Sequence, residues 1–344
     1  MVSNRSFFTH IHGFEKKLSQ IDASQLSCSP YAKRYLQHLL QHSSYYLSIY
    51  AHVLDQALEN TNVSPNHLVL LDYGAGNGLL GIFAKYAGFG KVYLCDTDPA
   101  FVTAANELAQ TLQEDISGYI TGELAHVVEQ YPTMVFDVVA GTDVIEHIYD
   151  LEVFFAGLQK MNPGLLSVFT TASNPDNPIK TAALIKLQIK DETEGGDPAD
   201  FALAGAEKHE AFLQMRKAII RTTFPALDEN SVLKLADTTR GLYHPAIIAA
   251  VKNYIDDGQL PVLPGGSNTC HPLTGSWTER ILPISSYEKI YALAGFKLRI
   301  SNGFYNADAV GTKKYLNRAL NLCVKLLGRK MAPFITLKGF PDNG

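Results

Sequence analysis

Two periods of hydrophobic and polar residues alternate along this chain, and the switches between them predict its elements. Leu68 to Leu71 is an apolar run of buried-strand length, and Leu79 to Ala87 follows it with helical character. Val92 to Cys95, Gly118 to Thr121, Phe136 to Ala140 and Leu165 to Thr170 are further short runs of strand type. Such runs belong to a parallel sheet covered by helices on both faces. The pattern predicts an α/β fold whose core, residues 65–175, is a Rossmann-like doubly wound sheet.

Segments of helical period flank that core. Residues 1–64 form an N-terminal helical extension, with Ser29 as N-cap and Pro30 at the first helical position. Tyr35, Leu36, Leu39 and Leu40 keep helical spacing, and it resumes through Tyr46, Ile49, Tyr50 and Leu54. Tyr31, Tyr35, Tyr45, Tyr46 and Tyr50 make this extension tyrosine-rich, as a packed helix or as an aromatic lid. Residues 176–278 read as a helical cap insertion for substrate, with helices at Lys208 to Arg221, Ser231 to Ala236 and Pro245 to Ile255, the last stopped by Gly258. Glu192 to Asp200 is expected to be a loop.

Residues 279–310 return to the core, with a helix at Tyr287 to Ala294 and a closing hairpin that begins at Phe296 to Ile300. The remainder, 311–344, is a basic tail. Its helix, Lys313 to Leu327, carries Leu316, Leu320, Cys323, Val324 and Leu327 on one face. From residue 311 onward there are seven basic residues against one acid, Asp342. Such a helix docks on its own domain or touches an anionic membrane or partner, and both readings stay open.

Composition narrows the function. A chain of 344 residues, 46% hydrophobic, supports a large core with room for additions. Its net charge of −5 argues against a nucleic-acid partner. Cys28, Cys95, Cys270 and Cys323 are scattered with no C-x-x-C pair, which suits reduced thiols in a cytoplasmic protein. No apolar run is long enough to span a membrane, so contact with one would be peripheral, through the C-terminal basic helix.

The chemistry concentrates at the strand ends. Asp72-Tyr73-Gly74-Ala75-Gly76-Asn77-Gly78 follows the first strand, and glycine suits a turn that needs positive φ and close approach of a ligand. Gly76, Gly78 and Gly81 also meet the spacing of a dinucleotide loop, which keeps a nicotinamide-dependent oxidoreductase as an alternative. Asp72 weighs against it. A carboxylate there repels a pyrophosphate and pairs with an ammonium, which fits S-adenosylmethionine. Asp96, about 20 residues beyond the glycines, stands where a ribose-binding acid belongs. Asp98 falls near the adenine, and Gly122-Glu123-Leu124 ends the third strand with an acid for the adenine amino group.

This order of motifs resembles the class I S-adenosylmethionine-dependent methyltransferases over roughly residues 65–175. The resemblance implies methyl transfer, with Asp72, Gly74, Gly76, Gly78, Asp96, Thr97, Asp98, Glu123, Leu124 and Thr142 as the cofactor set. A cofactor-binding regulatory or interaction protein without turnover is the alternative on the same fold.

After the fourth strand comes Asp143-Val144-Ile145-Glu146-His147. If a helix starts here, positions 143, 146 and 147 share a face. Three readings stay open: helix capping by Asp143 and Glu146, a catalytic role with His147 as general base helped by Asp143, and a divalent ion such as Mg²⁺ held by Asp143, Glu146 and His147. The segment is similar to the acid-x-x-Glu-His signature of the ubiquinone-biosynthesis O-methyltransferases, where it is associated with a divalent metal. Thr269-Cys270-His271, Trp277 and Tyr305-Asn306 echo later motifs of that group. His271 is a second candidate base. Amino-methyltransferases acting on nucleic-acid bases or glutamine carry an Asn/Asp-Pro-Pro-aromatic motif where this chain has Gly141-Thr142-Asp143-Val144. The expectation is O-methylation of a small or lipid-like hydroxylated acceptor.

Overall fold

Seven strands in the order β3-β2-β1-β4-β5-β7-β6 form the sheet of this protein, in a computed structural model that describes residues 6–59, 63–196, 210–262, 265–309 and 311–342. In chain order the elements are α1 (Ile11–Leu18), α2 (Pro30–Gln41), α3 (Ser43–Leu58), β1 (Val69–Tyr73), α4 (Leu79–Tyr86), β2 (Lys91–Asp96), α5 (Pro99–Leu112), β3 (Gly118–Thr121), α6 (Leu124–Gln130), β4 (Val138–Thr142), α7 (Leu151–Met161), β5 (Leu166–Thr171), α8 (Pro178–Thr193), α9 (Phe212–Thr223), α10 (Glu229–Thr238), α11 (His244–Asp257), α12 (Ile284–Leu293), β6 (Phe296–Asn302), α13 (Lys313–Leu327) and β7 (Ile335–Pro341). They divide into two units, one of residues 1–145, 151–171 and 284–344, the other of 146–150 and 172–283.

In the first unit β1 to β5 are parallel, and the doubly wound sheet read from the apolar runs is present. Strand β1 pairs with β2 on one side and β4 on the other, with Asp72 opposite Leu94 and Ala140. The carboxyl ends of the central strands therefore lie side by side, where open α/β sheets bind their ligands. The N-terminal helices pack on this sheet's layer, with Phe14 against Phe83 and with Leu36, Leu47 and Leu54 fully buried. Ser29 caps α2 by accepting from the Ala32 N–H at 3.1 Å, as the Ser-Pro pair predicts.

The closing hairpin departs from expectation. β6 pairs antiparallel with β7, not with the residues just beyond it, and β7 is inserted between β5 and β6. The tail is thus part of the core: Ile335, Thr336 and Leu337 are buried on both strand faces. Lys338, counted among the tail's basic residues, is also buried. Its Nζ lies 3.6 Å from Glu59 Oε2, and desolvation is the main cause holding its ammonium below the usual lysine range.

The second unit is helical. Ile220, Val232, Leu235, Ala236, Ile247 and Val251 make a core shared by α9, α10 and α11, and Gly258 closes α11 in the left-handed conformation. The loop expected from Glu192 is corrected at its start: Glu192 lies in the last turn of α8, and residues 197–200 of that stretch lie outside the described residues. So does Lys208, the expected start of the next helix, which begins at Phe212. Apolar spacing along Pro178–Thr193 was too weak to reveal α8, because its buried positions include Gln188, Asp191 and Glu192. Arg216, wholly buried in α9, pairs through both terminal nitrogens with Glu192 and donates from Nε to the Ala236 carbonyl at 2.7 Å.

Candidate cofactor and catalytic site

The glycines after β1 take the backbone angles that select glycine: φ is +69° at Gly74, +52° at Gly76 and +75° at Gly78. Space decides what each one faces. A Cβ on Gly74 would lie 2.3 Å from Val144 and one on Gly78 2.8 Å from Leu94, so both are closed by packing. At Gly76 the nearest atom would be Tyr35 Cε1, at 3.5 Å, so this is the glycine left open to a ligand. The loop is tied to β2, since Gly74 and Ala75 both donate to the Cys95 carbonyl and Gly76 N–H donates to Asp96 Oδ2 at 2.8 Å.

Asp72 and Asp96 differ in setting. Asp96, at the end of β2, is half-buried and also accepts from the Asp98 N–H at 2.9 Å. Asp72 is buried and accepts from the Gly81 N–H at 2.8 Å, joining the end of β1 to α4. Burial pushes its carboxyl from 3.8 up to about 7, against the pull of the Gly81 bond and with a further push from Asp96. A carboxyl raised in the fold contributes stability that is complete below its unfolded value and is lost as pH climbs through the folded one. The same linkage tests the ammonium reading. If a cationic cofactor draws Asp72 to its anion, binding at about pH 6 releases a proton, and the release fades above about pH 8. Calorimetry in buffers of unlike ionisation heat measures it. Buffer-independent heats at the lower pH would remove Asp72 as the cation's partner.

The tyrosines of α2 and α3 face these strand ends. Burial is the largest cause raising the phenols of Tyr35, Tyr45, Tyr46 and Tyr50, and the Asp143 carboxylate adds to it for all four. Tyr45 donates to the Phe304 carbonyl at 3.0 Å, and Tyr46 Oη lies 3.1 Å from His38 Nε2. Asp143, just past Thr142 at the end of β4, is exposed and left-handed at φ +50°, a region aspartate tolerates better than most residues. The other expected cofactor residues sit at helix starts. Asp98 caps α5 by accepting from Ala100 at 2.8 Å, beside the exposed Thr97. Glu123 is the N-cap of α6 and is exposed, with its N–H donating to His126 Nδ1, and Leu124 is buried.

A helix was expected from Asp143. Instead residues 143–150 form a bend and turns, and α7 starts at Leu151, so the capping reading falls and positions 143, 146 and 147 share no helix face. The left-handed Asp143 is the physical reason, since helix continuation from it requires a right-handed backbone. Among the described residues no three His, Cys, Asp or Glu side chains come together as metal ligands. The divalent-ion reading of Asp143, Glu146 and His147 therefore has no donor set, and no chemistry is derived from it.

His147 has other company. Its Nδ1 lies 2.8 Å from the Trp277 carbonyl, and its own carbonyl accepts from the Trp277 N–H. A carbonyl only accepts, so Nδ1 carries the proton and neutral His147 keeps its Nε2 lone pair. Nε2 stands 4.0 Å from Glu279 Oε1, and Ser173 Oγ donates to Glu279 Oε2 at 3.1 Å. Glu279 is itself left-handed, with φ +45°, a strained setting of the kind found at functional sites. Nothing in its local sequence announced it. Glu146 is buried, and its carbonyl accepts from Arg280. His271, the second candidate base, instead organises its own turn: Nδ1 accepts from Leu273 and Thr274, and its ring meets Phe212 edge-on.

Residues 71–162, which hold the glycine loop, Asp96 and Asp143, match the family model described as methyltransferase domain. This segment is a methyltransferase domain. Among curated proteins the chain is similar to the ribosomal protein L11 methyltransferases of Psychrobacter cryohalolentis and Psychrobacter arcticus, each 29% identical over 133 residues. That match takes in 38% of this chain and spans 38% of the length of each relative. Solved structures similar to it include the YcgJ protein from Bacillus subtilis, at TM-score 0.44 and 10% identity over 85% of this chain and 99% of that one. An S-adenosylmethionine-dependent methyltransferase from Mesorhizobium loti gives TM-score 0.39 and 12% identity over 84% and 97%. The methyltransferase domain's cofactor fits the residues present, as the open backbone at Gly76 and the acids at the ends of β1 and β2 suit a cationic ligand without phosphate.

Proposed function

We propose that this chain methylates a hydroxyl of a small or lipid-like acceptor, with S-adenosylmethionine as donor. When bound, the cofactor supplies an electrophilic methyl group. Asp72 and the glycine loop, shaped by Gly74 and Gly78 and open at Gly76, hold its methionine end, Asp96 its ribose, and Asp98 and Glu123 lie by its adenine, with Thr97, Leu124 and Thr142 completing the cofactor set. The observation that carries the hydroxyl reading is the 2.8 Å contact of His147 Nδ1 with the Trp277 carbonyl, which leaves Nε2 as a base for the acceptor's proton. Glu279 then faces the imidazolium that forms. Within the first unit, Asp143 and the tyrosine rings that sense its charge favour a second reading, a cationic amine acceptor held over aromatic faces.

Binding of S-adenosylmethionine to wild type and Asp96→Ala, by calorimetry, tests the cofactor half. Loss of a charge-assisted bond to the ribose is expected to weaken affinity at least tenfold, about 1.4 kcal/mol. Indifference to Asp96 would sink the assignment. Methyl-labelled cofactor offered with hydroxylated and amino acceptors tests the other half. Label on oxygen supports the first reading, and label only on nitrogen replaces it with the second.

A further inference from the structure

Helix α13 is fixed to its unit by its polar side. Asn321 spans the Tyr305 backbone, donating to its carbonyl at 2.9 Å and accepting from its N–H at 2.7 Å. Asn317 donates to the Asn306 carbonyl at 2.7 Å, and Val324 is the helix's buried apolar residue. Four of its five leucines point the other way. Leu316, Leu322, Leu326 and Leu327 are 60%, 59%, 75% and 57% exposed, and Tyr315 is 73% exposed. Of the apolar face Leu316, Leu320, Cys323, Val324 and Leu327, Val324 is buried while Leu316 and Leu327 face solvent, because the asparagines take the inner side. Burying a leucine stabilises by about 1.5–3 kcal/mol, so a contiguous set left in water marks a surface that meets a partner.

Charge identifies the partner. Lys314, Arg318 and Lys325 follow one another along the helix beside the leucines, and Arg329 and Lys330 come directly after it. From residue 309 to 341 there is no acid. A second copy docking through the same face would bring these cations against each other, whereas anionic headgroups would neutralise them. We propose that α13 seats the protein on an anionic lipid bilayer, with its leucines at the acyl boundary and its lysines and arginines among the phosphates. This inference is independent of the acceptor and of the catalytic base.

The full chain is sedimented with vesicles of phosphatidylcholine alone and of equal parts phosphatidylcholine and phosphatidylglycerol. Binding is expected on the mixed vesicles only, weakened by high salt. Leu322→Gln with Leu326→Gln, and separately Lys325→Glu, should each lower vesicle affinity by at least about tenfold. Circular dichroism checks that each variant folds, as these side chains are exposed. Absence of binding, or equal binding by the folded variants, overturns the proposal. So does a solution dimer that the leucine variants convert to monomer, which would make this face a self-contact.

Discussion

Arg216→Met is expected to lower the unfolding free energy of the helical unit by about 3–5 kcal/mol, because it strands a buried carboxylate. Glu192 is held by Arg216 through two nitrogens and by the Thr269 hydroxyl at 2.8 Å. Methionine fills much of the arginine's volume but leaves that carboxylate without its counter-charge. Removing both charges, with Glu192→Met as well, should recover part of the loss, since paired deletion avoids the stranded ion. Trp277, the chain's sole tryptophan, lies in this unit and stacks on Tyr149, so its fluorescence in urea reports the transition. Loss below about 1 kcal/mol would mean that the pair does not anchor the unit.

How far the molecule was legible depends on where the determining contacts lie in sequence. The glycine loop was legible because its requirement is local: positive φ at alternate positions selects glycine whatever surrounds it. The place of Asp96 was legible for a related reason, as it closes β2 at a fixed distance from that loop. Arg216 also left a signal, one residue of the stripe Phe212, Arg216, Ile220, where an arginine among apolar neighbours predicts a buried partner. The partner itself, on another helix, left none. β7 was hidden by topology: its pairing with β5 spans most of the chain's second half, and no local period tells an inserted strand from a tail. The turn at 143–150 was misread because an acid followed by Glu and His resembles a helix start, and only the backbone reveals the left-handed Asp143.

The same blindness to distant pairing explains why sequence suggested His147 but not Glu279. Their separation along the chain is bridged by Trp277, whose carbonyl accepts from Nδ1 and whose N–H donates to the His147 carbonyl. The imidazole is therefore held at Nδ1 while a backbone bond holds its residue, and Nε2 stands 4.0 Å from one carboxylate. Such an arrangement resists rotation of the ring, which is what a base requires if its lone pair is to stay aimed.

His147→Ala is accordingly expected to lower kcat by about 10²–10⁴-fold while leaving S-adenosylmethionine affinity within about twofold, the range removed with a general base. On the proposed reading of His147 as base, Glu279 acts through it as a positioning residue. Glu279→Gln keeps the side chain's shape and its bond to Ser173 but removes the charge facing Nε2, so kcat should fall by about tenfold with KM unchanged. Glu279→Asp restores a charge at slightly longer reach and should recover part of that loss. A purely structural role predicts the opposite order, with the isosteric glutamine harmless and the shorter aspartate harmful. Steady-state kinetics on the three variants, each with its cofactor affinity measured, separates the two. Full turnover in His147→Ala would end the base assignment and transfer the proton to solvent, while an unaffected Glu279→Gln beside a dead His147→Ala would leave the base without its carboxylate partner.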